Sequence, residues 1–509
     1  MVNNRWKQYF AETVFFAGIF VAIFSFSTVA HPLVPYDGDD WSNLSLMRKA
    51  VPLIHTYNPI KVLPEDLFPL VGIVAANIVS PLIGDYIYAI VITSAAVFGL
   101  LICIYMYLFY RLIERCFAVS YTRSMFITTL FFLFHFTLWY SSGNSIQYLL
   151  GSPNLTCLYH YVIPAIVNLC LVLYLARHDF SGMFISEADG QTETPLGANR
   201  VQPASWSLLI FAVYLAIFSN VLLSIILTAY VLSILILRFW KAYRGHISWQ
   251  TCKVFIKDNR FYFGIFLVWL ISLAFEANGG RARDIGHSVA SLPVAETGKI
   301  FLATVLKISK DFWAIGLLLV GASIYINYKK KSADYPVILK MYVLTSLISF
   351  LYLLLVCAKA SPAYMGRSDV FISFIIWTVL LLCISLAYLL KMLPKIGAFL
   401  PILVLYFAVE ACIGGSHYQE RVISNGLSPQ ECVSVDYDII QQVQTADRNG
   451  DTEVILHVPK GDDRDNWPHP MYMGKAFSHT LYKHGLISKP MNITIQPDTQ
   501  MNEKYHIRK

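Results

Sequence analysis

Three carboxylates fall within four residues at Asp37-Gly-Asp39-Asp40, shortly after an apolar run that ends near Ala30. Close like charges raise one another's pKa, which suits a general base. The same group could hold a divalent cation against a phosphate. Asp and Gly are also ordinary turn residues, so a solvated acidic turn is the plain alternative. Position favours chemistry, because carboxylates at the mouth of a membrane are costly to desolvate unless something uses them. A second group is Glu276-Ala-Asn278-Gly-Gly-Arg281-Ala-Arg283, where paired glycines and two guanidinium forks suit a phosphate or a lipid headgroup. Arg367 ends Lys359-Ala-Ser-Pro-Ala-Tyr-Met-Gly and could meet the same anion or anchor a helix end. In Asn466-Trp467-Pro-His469-Pro-Met-Tyr472-Met-Gly-Lys475, Trp467 and Tyr472 could stack on a sugar while His469 or Lys475 makes polar contacts. Aromatics in a small unit are equally often core. Trp41 and Asn278 are further candidate contacts, and the Asn154–His160 stretch could line a cavity.

The elements that position these groups are apolar. Of 509 residues 56% are hydrophobic and only 14% charged, more apolar surface than a soluble core absorbs. The net charge of +7 sits in short runs beside apolar stretches, a membrane pattern rather than a nucleic-acid one. Nine cysteines show no CxxC spacing, which argues against a metal or redox motif; Cys412 and Cys432 could pair. Apolar runs near 9–30, 85–110, 124–140, 157–176, 205–219, 220–240, 261–276, 311–327, 341–358, 370–390 and 396–414 predict an all-α polytopic protein with about eleven transmembrane helices. Residues 205–240 are too long for one span of a ~30 Å core, so two helices turning at Ser219-Asn220 are expected. Counting Lys and Arg puts 19 on the segments facing the N-terminus's side and 10 on the other loops, which predicts N-terminus inside and C-terminus outside. The expected domains are a membrane domain over 1–414, with large outer loops at 31–84 and 277–310, and an extracytoplasmic unit over 415–509. The end of the first loop, punctuated by Pro64, Pro69 and Pro81, is expected in the interface or re-entering the membrane. In the tail, helices near Tyr437–Gln444 and Met471–His484 and strands at Val454–Val458 and Asn492–Gln496 predict a small α/β unit.

An acidic motif in the first outer loop, many spans and a C-terminal extracytoplasmic domain together resemble the GT-C class of integral-membrane glycosyltransferases. The chain further resembles the bacterial and phage-borne serotype-converting O-antigen glucosyltransferases, on the Asp39-Asp40 motif and, more loosely, on Asn278-Gly279-Gly280-Arg281. That resemblance implies a protein of the bacterial inner membrane that modifies lipopolysaccharide. Its donor would be a sugar, glucose first, on undecaprenyl phosphate, and its acceptor a hydroxyl of lipid-linked O-antigen on the periplasmic face. An aspartate among Asp37, Asp39 and Asp40 would take the hydroxyl proton, transfer would invert the anomeric centre, and Arg281, Arg283 and Arg367 would stabilise the departing phosphate. No nucleotide is implied and no resident metal is assigned, although some members of the class use Mg or Mn. Membrane lipids are expected partners and nucleic acid is not. The rival readings are an O-antigen polymerase or ligase, which leans on arginines and histidines in large outer loops, and a transporter or flippase, which commonly carries charge inside its helices.

Overall fold

The computed structural model describes residues 2–45, 59–139, 148–152, 154–180, 203, 205–242, 248–278, 291–330, 334–413 and 427–507. Among them nine helices are long and apolar enough to cross a membrane. Contacts show which of them traverse the bundle. Helix Arg5–Ala30 packs antiparallel on Tyr86–Phe117: Gln8 donates to Glu114 at 3.0 Å near one end, and Cys103 meets the Phe16 carbonyl at 3.4 Å further along. Ala30 and Tyr86 therefore lie at the same end.

Helix Val62–Ile83 joins them without crossing. Phe68 stacks on Tyr159 at 4.2 Å, Asp85 just beyond the helix meets Tyr437, and Gly72 lies against the Leu44 carbonyl. A Cβ at Gly72 would fall 2.3 Å from that oxygen, so only glycine admits the first loop here. The expected loop 31–84 thus contains a helix held along one end of the bundle, in keeping with the interfacial position expected for its proline-rich part. Beside the nine, Tyr121–Thr137 (17 residues), Trp206–Ile217 (12 residues) and Ile225–Ala242 (18 residues) are further helices of the bundle. The 205–240 stretch does turn where expected: the Asn220 side chain accepts from Leu222 N–H at 2.9 Å and donates to the His160 carbonyl at 2.7 Å.

Helices Leu155–Asp179 and Ser368–Met392 form the centre, each 83% buried, whereas Pro394–Ile413 is 11% buried and lies outermost. Outer faces carry exposed Leu317, Leu318 and Leu351, as surfaces against lipid do. The expected loop 277–310 includes helix Val294–Leu306, which packs Phe301 on Phe350 and Phe374.

The tail forms the expected small α/β unit. Strands β1 (Glu453–Pro459) and β2 (Asn492–Asp498) pair in parallel, in register from Glu453↔Asn492 to Pro459↔Asp498. A parallel pair needs a crossover, and helix Met473–Lys483 supplies it. Helix Pro429–Arg448 packs beside β1 and begins with a capping box between Ser428 and Glu431 and a proline in its first turn. Cys412 and Cys432 are not joined by a disulfide, so the pairing considered from sequence is not made.

Candidate active site

The acidic motif caps a short helix. Asp37 is the N-cap of Gly38–Asn43, its Oδ1 accepting the Asp40 N–H at 3.0 Å, which is why an Asp-Gly-Asp-Asp run folds here into a turn entering a helix. Its other oxygen accepts from the Asn154 side chain. Asp40 Oδ1 accepts from the Thr156 N–H at 2.6 Å and the Thr156 hydroxyl at 2.7 Å, while Oδ2 accepts the Tyr36 N–H at 3.2 Å. Asn154 and Thr156 open the central helix Leu155–Asp179, so the acidic turn is bolted to the middle of the bundle.

Both carboxylates are fully buried, and among the described residues the hydrogen bonds they accept come from neutral donors. Burial, with the charge of Asp40, pushes the Asp37 carboxyl well above its usual range. Burial also lifts Asp40, to about 6, against the pull of the Thr156 and Tyr36 donors. Asp39 is the exposed member of the three. Each of the four oxygens of Asp37 and Asp40 accepts from an N–H or O–H donor. Among the described residues no group of three or more His, Cys, Asp or Glu is arranged to hold a metal ion.

The C-terminal unit closes over this turn. Pro468 accepts the Gly38 N–H at 3.0 Å, Thr480 donates its hydroxyl to the Trp41 carbonyl at 2.6 Å, and Tyr86 and His484 share a 2.6 Å hydrogen bond. It also delivers a third carboxylate that the sequence reading missed. Asp436 of helix Pro429–Arg448 is fully buried, neither carboxyl oxygen has a hydrogen-bond partner among the described residues, and it lies within electrostatic reach of Asp40 and Asp37. Burial, with those two charges, holds its carboxyl well above the usual range. A signal was present: Asp436 interrupts the stripe Cys432, Val435, Ile439, Val443 at helical spacing.

The other sequence candidates are dispersed. Trp41 is core, edge-on to Phe477 at 4.8 Å, because the cap packs on it. His469 is likewise fully buried, against Tyr36 at 4.7 Å, and Trp467 is half-buried. Tyr472 and Lys475 are exposed. Asn278 is exposed and donates to the Ala274 carbonyl of its own helix at 2.8 Å. Arg281 and Arg283 lie outside the described residues.

Arg367 is already engaged. It pairs with Asp369 at 2.5 and 3.0 Å, donates to the Cys157 sulfur at 3.3 Å, and lies over the rings of Tyr161 (4.5 Å) and Tyr364 (5.2 Å). Those two tyrosines also line a cavity of about 310 Å³ at the same end of the bundle. Its walls are largely apolar, from Val221, Leu222, Leu273, Leu355 and Val356, with Lys61, Lys359, Glu276 and Asn220 as the polar groups. Lys61 holds a left-handed backbone (φ 56°), which costs a non-glycine residue about 1–3 kcal/mol and is typical of functional sites. Cys157 links the two regions, its N–H bonded to Asn154 at 2.7 Å and its sulfur to Arg367.

The chain matches no protein-family model and no curated protein. Among solved structures it is similar to the crystal structure of the Archaeoglobus fulgidus oligosaccharyltransferase in complex with zinc and sulfate, at 12% identity and a TM-score of 0.43. The similarity covers 93% of this chain and 62% of that one, so the present chain spans under two thirds of its length. Neither figure is high enough to transfer residues or roles.

Proposed function

We propose that this protein is an inverting membrane glycosyltransferase that moves a sugar, glucose first among candidates, from undecaprenyl phosphate to a hydroxyl of lipid-linked O-antigen on the periplasmic face of the inner membrane. The observation that carries the reading is the shared end of the bundle. A rigid acidic turn and an apolar cavity bearing two lysines stand there together, joined through Asn154, Cys157 and Arg367. An acidic turn suits a hydroxyl acceptor, and an apolar cavity with cationic groups suits a phosphate carried on a hydrocarbon chain.

Asp39 is the base in this reading, because it is the carboxylate of the turn that an acceptor can reach. It takes the acceptor hydroxyl's proton as that oxygen attacks the anomeric carbon from the face opposite the phosphate. The bond from the anomeric carbon to the phosphate oxygen breaks, and its electron pair leaves with the lipid phosphate. Lys61 and Lys359 are placed to bind that phosphate, whose charge grows as the bond breaks. Arg367, neutralised by Asp369, orders the tyrosine wall between cavity and turn. Arg281 and Arg283 are kept as further phosphate ligands, and Asn278, Tyr472, Lys475 and Trp467 as sugar contacts.

The test is sugar transfer in membranes from polyprenyl-phosphate-linked glucose to a lipid-linked O-antigen acceptor, with and without chelator. Wild type should transfer in both conditions and the Asp39→Asn/Asp40→Asn double variant in neither. Equal transfer by both proteins, or elongation or flipping of the acceptor without glucose transfer, would overturn the reading.

A further inference from the structure

Asp436 is expensive to keep where it is. A buried carboxylate without donors is disfavoured by several kcal/mol in charged form, so such a group stays protonated or is replaced. A neutral Asn or an apolar residue at position 436 would continue the buried stripe of helix Pro429–Arg448 without that penalty. Retaining a carboxyl there, beside two others, points to a use.

Among the described residues, its titratable neighbours come from several elements. From the first loop Tyr36, Asp37 and Asp40 face it; from the following helix, Tyr86; from its own helix, Cys432 and Glu431 share the neighbourhood of Tyr36. His469 packs on Tyr36 and His484 bonds to Tyr86, both from the C-terminal unit. No Lys or Arg is among these groups. Asp37 and Asp40 have fixed donors for every oxygen and Asp436 has none, so a proton shared by three buried carboxyls rests most stably on Asp436.

We propose that Asp436 is a positioning residue for the acidic turn: a neutral carboxyl, held by the C-terminal unit near Asp37 and Asp40, that adds no further charge to the buried pair and so leaves its donors in place. When Asp436 loses its proton, three adjacent buried charges cannot coexist. Either the pair takes up a proton and releases its donors, or the C-terminal unit lifts away. In both cases the turn that presents Asp39 is disturbed. This role rests on the transferase reading for its effect on catalysis but not for its effect on stability.

The sign follows from the raised carboxyl. In the unfolded chain Asp436 ionises near pH 4, whereas in the folded chain it stays protonated, so stability falls as pH rises from about 4 toward the folded-state value. Asp436→Asn removes that fall. Thermal melting of purified wild type and Asp436→Asn, followed from about pH 4 to 9, should give coincident curves at the acid end. A gap of about 2–4 °C or more should open in favour of the variant toward alkaline pH. Transfer by the variant should persist to higher pH than in wild type, with KM little changed. If Asp436→Asn does not fold, Asp436→Ala serves, and a protonated-carboxyl infrared band in wild type at neutral pH gives an independent readout. Parallel melting and activity profiles across the whole range would overturn the proposal, as would the absence of that band. A melting gap without any glucose transfer would sustain Asp436's role while removing the transferase reading. Transfer with coincident melting curves would do the reverse.

Discussion

Asp179 and the acidic turn, at opposite ends of the bundle, bury carboxylates in opposite ways. At the end away from the acidic turn, Asp179 accepts from the Tyr230 hydroxyl at 2.6 Å, the Tyr262 hydroxyl at 2.8 Å and the Arg238 guanidinium at 2.5 Å. Arg238 in turn donates to Asn259 at 2.6 Å and lies over the Tyr262 ring at 4.7 Å. Charge is matched by charge, and the network ties three traversing helices together. At the other end Asp37, Asp40 and Asp436 are buried to the same degree but meet neutral donors, each other, or nothing. A compensated buried charge is architecture. An uncompensated one is held against its own electrostatics by the rest of the fold, and perturbed groups of that kind gather where chemistry is done.

Breaking each end should give a different kind of damage. Asp39→Asn at the acidic turn should lower transfer by about 10²–10⁴-fold, the worth of a general base, with melting unchanged. Asp40→Asn should lower transfer and shift melting as well, because Asp40 also holds the turn to Thr156. Loss of melting in Asp39→Asn, or full activity in both, would dissolve the assignment. Arg238→Ala should instead destabilise the fold by about 3–5 kcal/mol, leaving Asp179 buried and unpaired, while the protein that remains folded keeps its turnover.

Titration should sharpen the contrast. Asp40, lifted to about 6 by burial, ionises near 4 when unfolded, so it costs stability increasingly between about pH 4 and 6. Asp40 should contribute a fall on the order of 2–3 kcal/mol over that window, and Asp40→Asn should remove that share while the part due to Asp37 and Asp436 remains. The smallest effect is expected at Gly38, whose added Cβ would meet Pro470 at 2.7 Å. Gly38→Ala should cost about 1–3 kcal/mol through overpacking and raise protease sensitivity of the C-terminal unit before that of the helices. Simultaneous cleavage of both would show that the closure is not a separable contact.

Much of the architecture could be read from the chain. Run length against bilayer thickness gave the traversing segments and the Ser219-Asn220 turn, because both are local consequences of helical rise and apolar surface. The tail's elements followed from periodicity in the same way. The acidic turn was also legible as a candidate, but its division of labour was not: nothing in Asp37-Gly-Asp-Asp says that Asp39 faces out while its neighbours are locked by Asn154 and Thr156. Helix Val62–Ile83 is as apolar as a span, and only its contacts with Leu44 and Tyr159 show that it returns to the same end. Asp436 escaped notice because a carboxylate in an amphipathic helix reads as part of its wet face. Trp41 looked like a sugar platform for the complementary reason: the residue that buries it, Phe477, is more than 400 positions away.

That separation has a consequence for how the protein is made. Residues 37–41 leave the ribosome more than 400 residues before Pro468, Phe477 and Thr480, which seal them, and the described bundle helices are made in between. The acidic turn must therefore wait through the insertion of the helices in between with its cap missing. A chain interrupted before the tail would carry the described bundle helices and an unsealed acidic turn, so biogenesis itself keeps immature copies from presenting a finished site.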